Sequence, residues 1–272
     1  MQNFSRTDVS KNQLGAVISF ALLLACIGSA ETRTWSGAGT ADAWSDSANW
    51  GGTAPVAGDS LVFSGTGTRC TNVNDLALDA SFTGITFANG SRSYLFTGNR
   101  ITLGGSVTNN SSKDQRINFD MALDGLRNFC VTNGNVYANG ALSGPGGVVV
   151  TGGKLLYLTV ANTYKGETIV SNGVVQIWNN QALGSIDGAV TLWNNGSTAS
   201  PRLDLVNVCV TGKTVTVSGR GNNNGALQGV SGSNTWAGRV ILGSAGENRF
   251  GVSSSNGMLV VSGVIEGPSG YN

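Results

Sequence analysis

From about Gly65 onward the chain is written in one way. Short runs rich in Val, Ile, Thr and aromatic residues are each cut off by Asn-Gly, Gly-Gly or Ser-Asn-Gly. No stretch sustains a 3.6-residue apolar period, so the runs read as strands. Asn and Gly supply the backbone freedom that tight corners need. Strands are predicted at Gly84–Phe87, Tyr94–Thr97, Ile101–Leu103, Arg116–Phe119, Asn128–Val131, Val148–Val150, Leu155–Val160, Thr168–Val170 and Val174–Trp178. More are predicted at Ala189–Trp193, Arg202–Val206, Thr214–Val217, Gly238–Leu242, Asn248–Val252 and Met258–Val261.

Three self-similarities lie on this text. "NTYKG" (Asn162–Gly166) returns as "NTWAG" (Asn234–Gly238), "GALSGPGG" (Gly140–Gly147) as "GVIEGPSG" (Gly263–Gly270), and "CVT" (Cys130–Thr132) as Cys209–Thr211. Together they argue for an irregular repeat architecture. Within one unit, Thr168 and Val170, and then Val175 and Ile177, share the inward face, because side chains alternate along a strand. Asn172-Gly173 makes the corner between them. Asn162 or Thr163 would stack on equivalents in adjacent turns, while Ile169, Val174 and Trp178 point outward. Such a unit cannot cover its own inner face, but coils piled on one another do. The expected fold is all-β, a right-handed parallel β-helix. An antiparallel sandwich is the rival, since runs and turns alone do not separate the two.

Composition agrees with a folded β protein. Glycine contributes 41 of 272 residues without a three-residue period, which excludes collagen, and a charged fraction of 11% is too low for a disordered chain. Residues 1–30 read as a signal peptide: Arg6 and Lys11 precede the apolar run Leu14–Gly28, and small residues end at Ala30. An anchor helix, or lipidation at Cys26, is the alternative. Cleavage would remove Arg6, Lys11 and Asp8, taking 16 basic and 15 acidic residues to 14 of each. With zero net charge and no basic block, nucleic acid is not an expected partner, and no stable membrane span is expected in the mature chain. Cys70, Cys130 and Cys209 are an odd, widely spaced set that reads as buried small hydrophobes. Residues 31–65 hold Trp35, Trp44 and Trp50, expected to plug one end of the stack. A sugar-binding platform is the other use of such a cluster.

The stretch Gly152–Trp178 resembles the autotransporter-associated β-strand repeat, a family of bacterial surface and secreted passenger proteins. Asn162, Thr163, Tyr164, Gly166, Thr168, Val170, Gly173, Val175 and Ile177 match its pattern, as do Leu156 and Leu158 before them. Lys154 and Val160 depart from it, which suggests a distorted first strand. The second copy keeps Asn234, Thr235, Trp236 and Gly238 and then loses the pattern. Trp44, Asn49, Trp50, Pro55, Gly58, Asp59 and Phe63 resemble the leader of such proteins. The resemblance implies a parallel β-helix over residues 66–272, expected to be truncated at its C-terminus. It also implies a secreted or cell-surface protein.

Without histidine, Ser-His-Asp and histidine-metal chemistry are unavailable. A glycosidase would need paired carboxylates, for which Asp75 with Asp79, Asp120 with Asp124, and Asp187 with Asp204 are the candidates. Lys113, Asp114, Arg116, Asp120, Asp124 and Arg127 form the densest charged group and read as a solvated loop. Asn162 and Tyr164 read as rungs of a stack. No residue is assigned to catalysis, a cofactor or a metal. The expected function is structural and adhesin-like, displayed on the cell surface, with extracellular glycans, other cells or matrix as partners. The alternatives are a polysaccharide-active β-helix (lyase or glycosidase) or a carbohydrate-binding module resting on Trp35, Trp44 and Trp50.

Overall fold

The computed structural model describes residues 30–65, 67–194, 201–221, 223–243, 247–253 and 255–267. Apart from Ala30, the expected signal peptide, with Cys26, lies outside the described residues, as does the end of the Gly263–Gly270 echo.

The strands stack as a parallel β-solenoid with two long sheets, one of 13 strands and one of 11. The first repeat copy, with strands Thr168–Val170 and Val174–Ile177, decides between solenoid and sandwich. Thr168–Val170 pairs in parallel with Gly147–Thr151 on one side and Val190–Leu192 on the other. Val174–Ile177 does the same with Leu155–Leu158 and Arg202–Val206. The two strands of one unit therefore belong to different sheets and do not form a hairpin. Gly173 makes the corner at φ 112°, a region that L side chains rarely enter. Thr168, Val170, Val175 and Ile177 are fully buried and Trp178 is exposed, as the alternation requires. Val174 was expected outside, yet it is buried although it faces outward.

Near the N-terminus the aromatic segment both covers the stack and begins it. Thr32–Trp35 pairs in parallel with Ser60–Phe63, which pairs with Ala80–Phe87. The intervening loop folds Trp44 and Trp50 onto the core. Trp44 lies edge-on to Phe82, Phe96 and Phe119 at 5.7–6.0 Å between ring centres, so one side chain touches several coils. All three indole N–H groups donate, to the Arg69 carbonyl, the Asn72 side chain and the Trp44 carbonyl, at 2.8–3.0 Å. Being fully buried or nearly so, they leave no aromatic face open, which removes the sugar platform read from them.

Several expectations need correction. Leu227–Trp236, ten residues of Gly-, Ser- and Asn-rich text, is a strand that local propensity hides, and parallel partners on both flanks impose it. Met121–Leu123 is a strand within the charged group read as a solvated loop, and Val136–Ala138 is a strand absent from those predicted. Although the second copy departs from the sequence pattern after Gly238, the strand predicted at Gly238–Leu242 is present as Val240–Leu242, in the same sheet as Thr168–Val170. Lys154 and Val160 do not distort the strand between them, since Leu155–Leu158 keeps unbroken register with both neighbours. The two "CVT" sites are not equivalent, because Cys130 lies in the 13-stranded sheet and Cys209 in the other. Nor are the cysteines core residues. Cys70 and Cys130 are half-buried, Cys70 packing against the edge of the core, Cys209 is exposed, and none of the three forms a disulfide.

Candidate functional site

The motif residues shared by the two repeat copies hold coils together. Asn162 accepts the Leu142 backbone N–H at 2.7 Å and donates to the Ala182 carbonyl at 2.6 Å, bridging the coils before and after its own. Asn234 repeats this with the Val208 N–H at 3.2 Å and the Met258 carbonyl at 3.0 Å. The motif glycine is a close-approach position. A Cβ on Gly166 would stand 2.7 Å from Gly146 backbone atoms, and one on Gly238 would stand 1.8 Å from the Lys213 carbonyl oxygen. Tyr164 is fully buried and its hydroxyl meets that of Thr168 at 2.6 Å. In the second copy Val240 takes the place of Thr168, and the buried Trp236 indole N–H has no partner.

The carboxylates that spacing offered for sugar chemistry each serve a separate local partner. Asp75 accepts the Ser45 N–H at 2.8 Å, Asp79 pairs with Arg100, and Asp120 accepts the Ala141 N–H at 2.7 Å. Asp124 pairs with Arg127, Asp187 accepts the Ser185 hydroxyl at 2.9 Å, and Asp204 is held by Arg202. The dense group around Lys113 does not converge either: Asp114 accepts from Asn135, while Arg116 leaves for an aromatic ring. Among the described residues no group of three or more Cys, Asp or Glu could hold a metal ion, and no helix is long and apolar enough to cross a membrane.

The chemistry gathers on the outer face of the 11-stranded sheet. Successive coils place Arg116, Tyr137, Tyr157, Gln176, Asp204 and Gln228 directly beside one another in register. The Arg116 guanidinium lies 4.7 Å from the Tyr137 ring centre, and Tyr137 stacks on Tyr157 at 4.1 Å with 8° between planes. Trp178 stands edge-on to Tyr157 at 5.7 Å and 70°, with its indole N–H donating to Gln176 Oε1 at 3.1 Å. Two contacts thus fix an indole that is 47% exposed. Asp204 is 2% exposed and takes both arms of Arg202, at 2.6 and 2.9 Å. Burial pushes its carboxyl up, against the pull of Arg202. Burial likewise raises the Tyr157 hydroxyl, with Tyr137 adding to it. Gln228 is 1% exposed, and neither amide atom has a partner, a state that costs roughly 1–3 kcal/mol for each buried group. Beyond Trp178 the chain turns into an open groove of about 390 Å³ lined by Asn162, Thr163, Lys165, Gln181, Ser185 and Ile186.

Sequence reasoning named Arg116 and Asp204 only as charged candidates and Trp178 as an outward residue, and did not bring the row together. The available signal was coil length: Arg116, Tyr137 and Tyr157 are spaced by 21 and 20 residues, close to the 20-residue reach of Asn162 to each neighbouring coil.

No family model matches the chain, and no solved structure matches it. A curated relative does, the protein named "Adhesin BmaC autotransporter" from Brucella suis biovar 1 (strain 1330), with 26% identity over 257 residues. The chain is similar to an autotransporter adhesin. The match takes in 83% of this chain and only 7% of that protein's length.

Proposed function

We propose that this chain is part of an exported, surface-displayed bacterial passenger whose solenoid serves a structural, adhesin-like role without catalysis. The similarity to an autotransporter adhesin over 83% of the chain is the observation that carries this reading, and parallel stacking supports it. Every coil pairs its backbone with the next along the axis, so the stack resists bending and holds its outer faces away from the cell. The match to the autotransporter-associated repeat at Asn162–Ile177 belongs to the same proposal, with the motif's Asn, aromatic and Gly positions acting as coil-to-coil fasteners.

The reading is tested on intact bacteria that make the full-length protein. Antibody against this segment is expected to label unpermeabilised cells, external protease to remove the label, and deletion to reduce adherence to host cells or matrix. Label that needs permeabilisation would overturn surface display. A polysaccharide-degrading activity would need a second carboxylate opposed to the first across a sugar. In the outer row Asp204 is the carboxylate, and both its oxygens are engaged by Arg202. Release of reducing or unsaturated sugars from a polysaccharide panel by the purified protein would overturn the non-catalytic part.

A further inference from the structure

We infer that the accessible part of the outer row, Arg116, Tyr137 and Tyr157, with Trp178 as its open face, is a binding strip for a neutral, extended glycan chain lying along the solenoid axis. The inference rests on the adhesin reading and names what that surface would hold.

Geometry comes first. Three successive coils present Arg116, Tyr137 and Tyr157 at the strand spacing of about 4.8 Å, so the accessible strip repeats along a line. A matching ligand is a linear polymer whose small units each carry an apolar face and polar edges. Pyranose chains have this character: their C–H faces lie against aromatic rings, and their hydroxyls bond phenols, amides and guanidinium groups. The strip alternates these functions. Tyr137 and Tyr157 are stacked on each other and stay half-buried, so part of each ring is accessible. Trp178 is rotated 70° from Tyr157 and leaves nearly half its surface open. Its N–H is already satisfied by Gln176, so the ring is held in place without a ligand. A flexible exposed tryptophan would lose entropy on binding, and this one has already lost it.

Other partners fit less well. The row lies on a sheet face whose backbone groups are paired to both neighbouring coils, so an added protein strand finds no edge. Arg202 cancels Asp204, and among the described residues Arg116 is the row's one charge without a carboxylate partner. A single cation is too little for a polyanion such as nucleic acid.

The test uses the full chain and three soluble probes: cellohexaose, the hexamer of N-acetylglucosamine, and a hexauronate. Binding is read by calorimetry and by quenching of tryptophan fluorescence. At least one neutral hexamer is expected to bind saturably, and Trp178→Ala is expected to weaken it tenfold or more with an unchanged melting temperature. Trp178→Phe should recover most of the affinity. Trp193→Ala removes an exposed tryptophan that follows a strand of the other sheet and is expected to bind as the unaltered protein does. If neither neutral hexamer binds, or Trp178→Ala binds unchanged, the strip is not a glycan site. Binding of the hexauronate alone, abolished by high salt, would also overturn it, because charge would then replace stacking. Surface labelling and adherence of intact cells are read separately: their survival when glycan binding fails leaves the adhesin reading standing, and their failure tells against that reading instead.

Discussion

A single asparagine shows how tightly this fold is specified. Asn162, itself buried, satisfies one N–H and one C=O in two different coils. Asn162→Ala is expected to destabilise by about 2–3 kcal/mol, since it orphans the Leu142 donor and the Ala182 acceptor together. Asn234→Ala should behave alike, and chemical denaturation of both variants checks the equivalence. Lys213 makes the opposite case. It is 2% exposed, donates to the Ser185 carbonyl, and burial lowers its pKa from 10.5 to about 8, with Asp187 pulling the other way. Between about pH 8 and 10.5 the unfolded chain binds the proton that the folded chain has released, so stability rises with pH across that window. Below it, the buried charge is a standing cost. Lys213→Met is expected to raise the melting temperature at pH 7 and to flatten the alkaline rise, which thermal scans from pH 7 to pH 10.5 would show.

Among the elements, the N-terminal loop has the most to explain. Residues singled out as a leader pattern turn out to be its fastenings. Asn49 donates to the Ala41 and Ala43 carbonyls, and Asp59 accepts from the Glu31 and Val56 N–H groups and from Arg33. Burial alone would push the Asp59 carboxyl up, but those hydrogen bonds and the Arg33 charge together hold it below the usual range. Its contribution is therefore present above the ordinary carboxylate value of 3.8 and is lost as pH falls below it. Asp59→Asn is expected to lower stability at neutral pH and to remove part of the acid loss, measurable as a smaller drop in melting temperature on going below pH 4. Trp44→Ala should cost about 3–5 kcal/mol by the cavity it opens against Phe82, Phe96 and Phe119.

Across the whole molecule, stability accumulates from neighbour to neighbour. Inner residues of middle coils, such as Val150 and Val175, are covered on both sides and fully buried. Phe250, Val252 and Ile265 occupy inward register positions opposite Leu227, Gly229 and Val240, yet remain 36–49% exposed. Amide exchange is expected to be slowest in Gly147–Thr151 and Val174–Ile177 and fastest in Phe250–Val252 and Ile265–Glu266. Uniform protection along the stack would contradict a nearest-neighbour mechanism. Much of this was legible beforehand. Alternating apolar residues, Asn-Gly corners and the paired "NT-aromatic-x-Gly" text prescribe short strands with one buried face, because those preferences act within a few residues. Even the fasteners at Asn162 and Gly166 were visible as a repeat, though not their reach. What the chain could not disclose locally is which residues of different coils stand side by side. Leu227–Trp236 becomes a strand only because neighbours supply its hydrogen bonds, and Tyr137, Tyr157 and Gln176 form one row only because three coils share a register. Alternation along a strand is a local steric rule, whereas adjacency between coils depends on the length of every corner between them, and that is settled when the core closes.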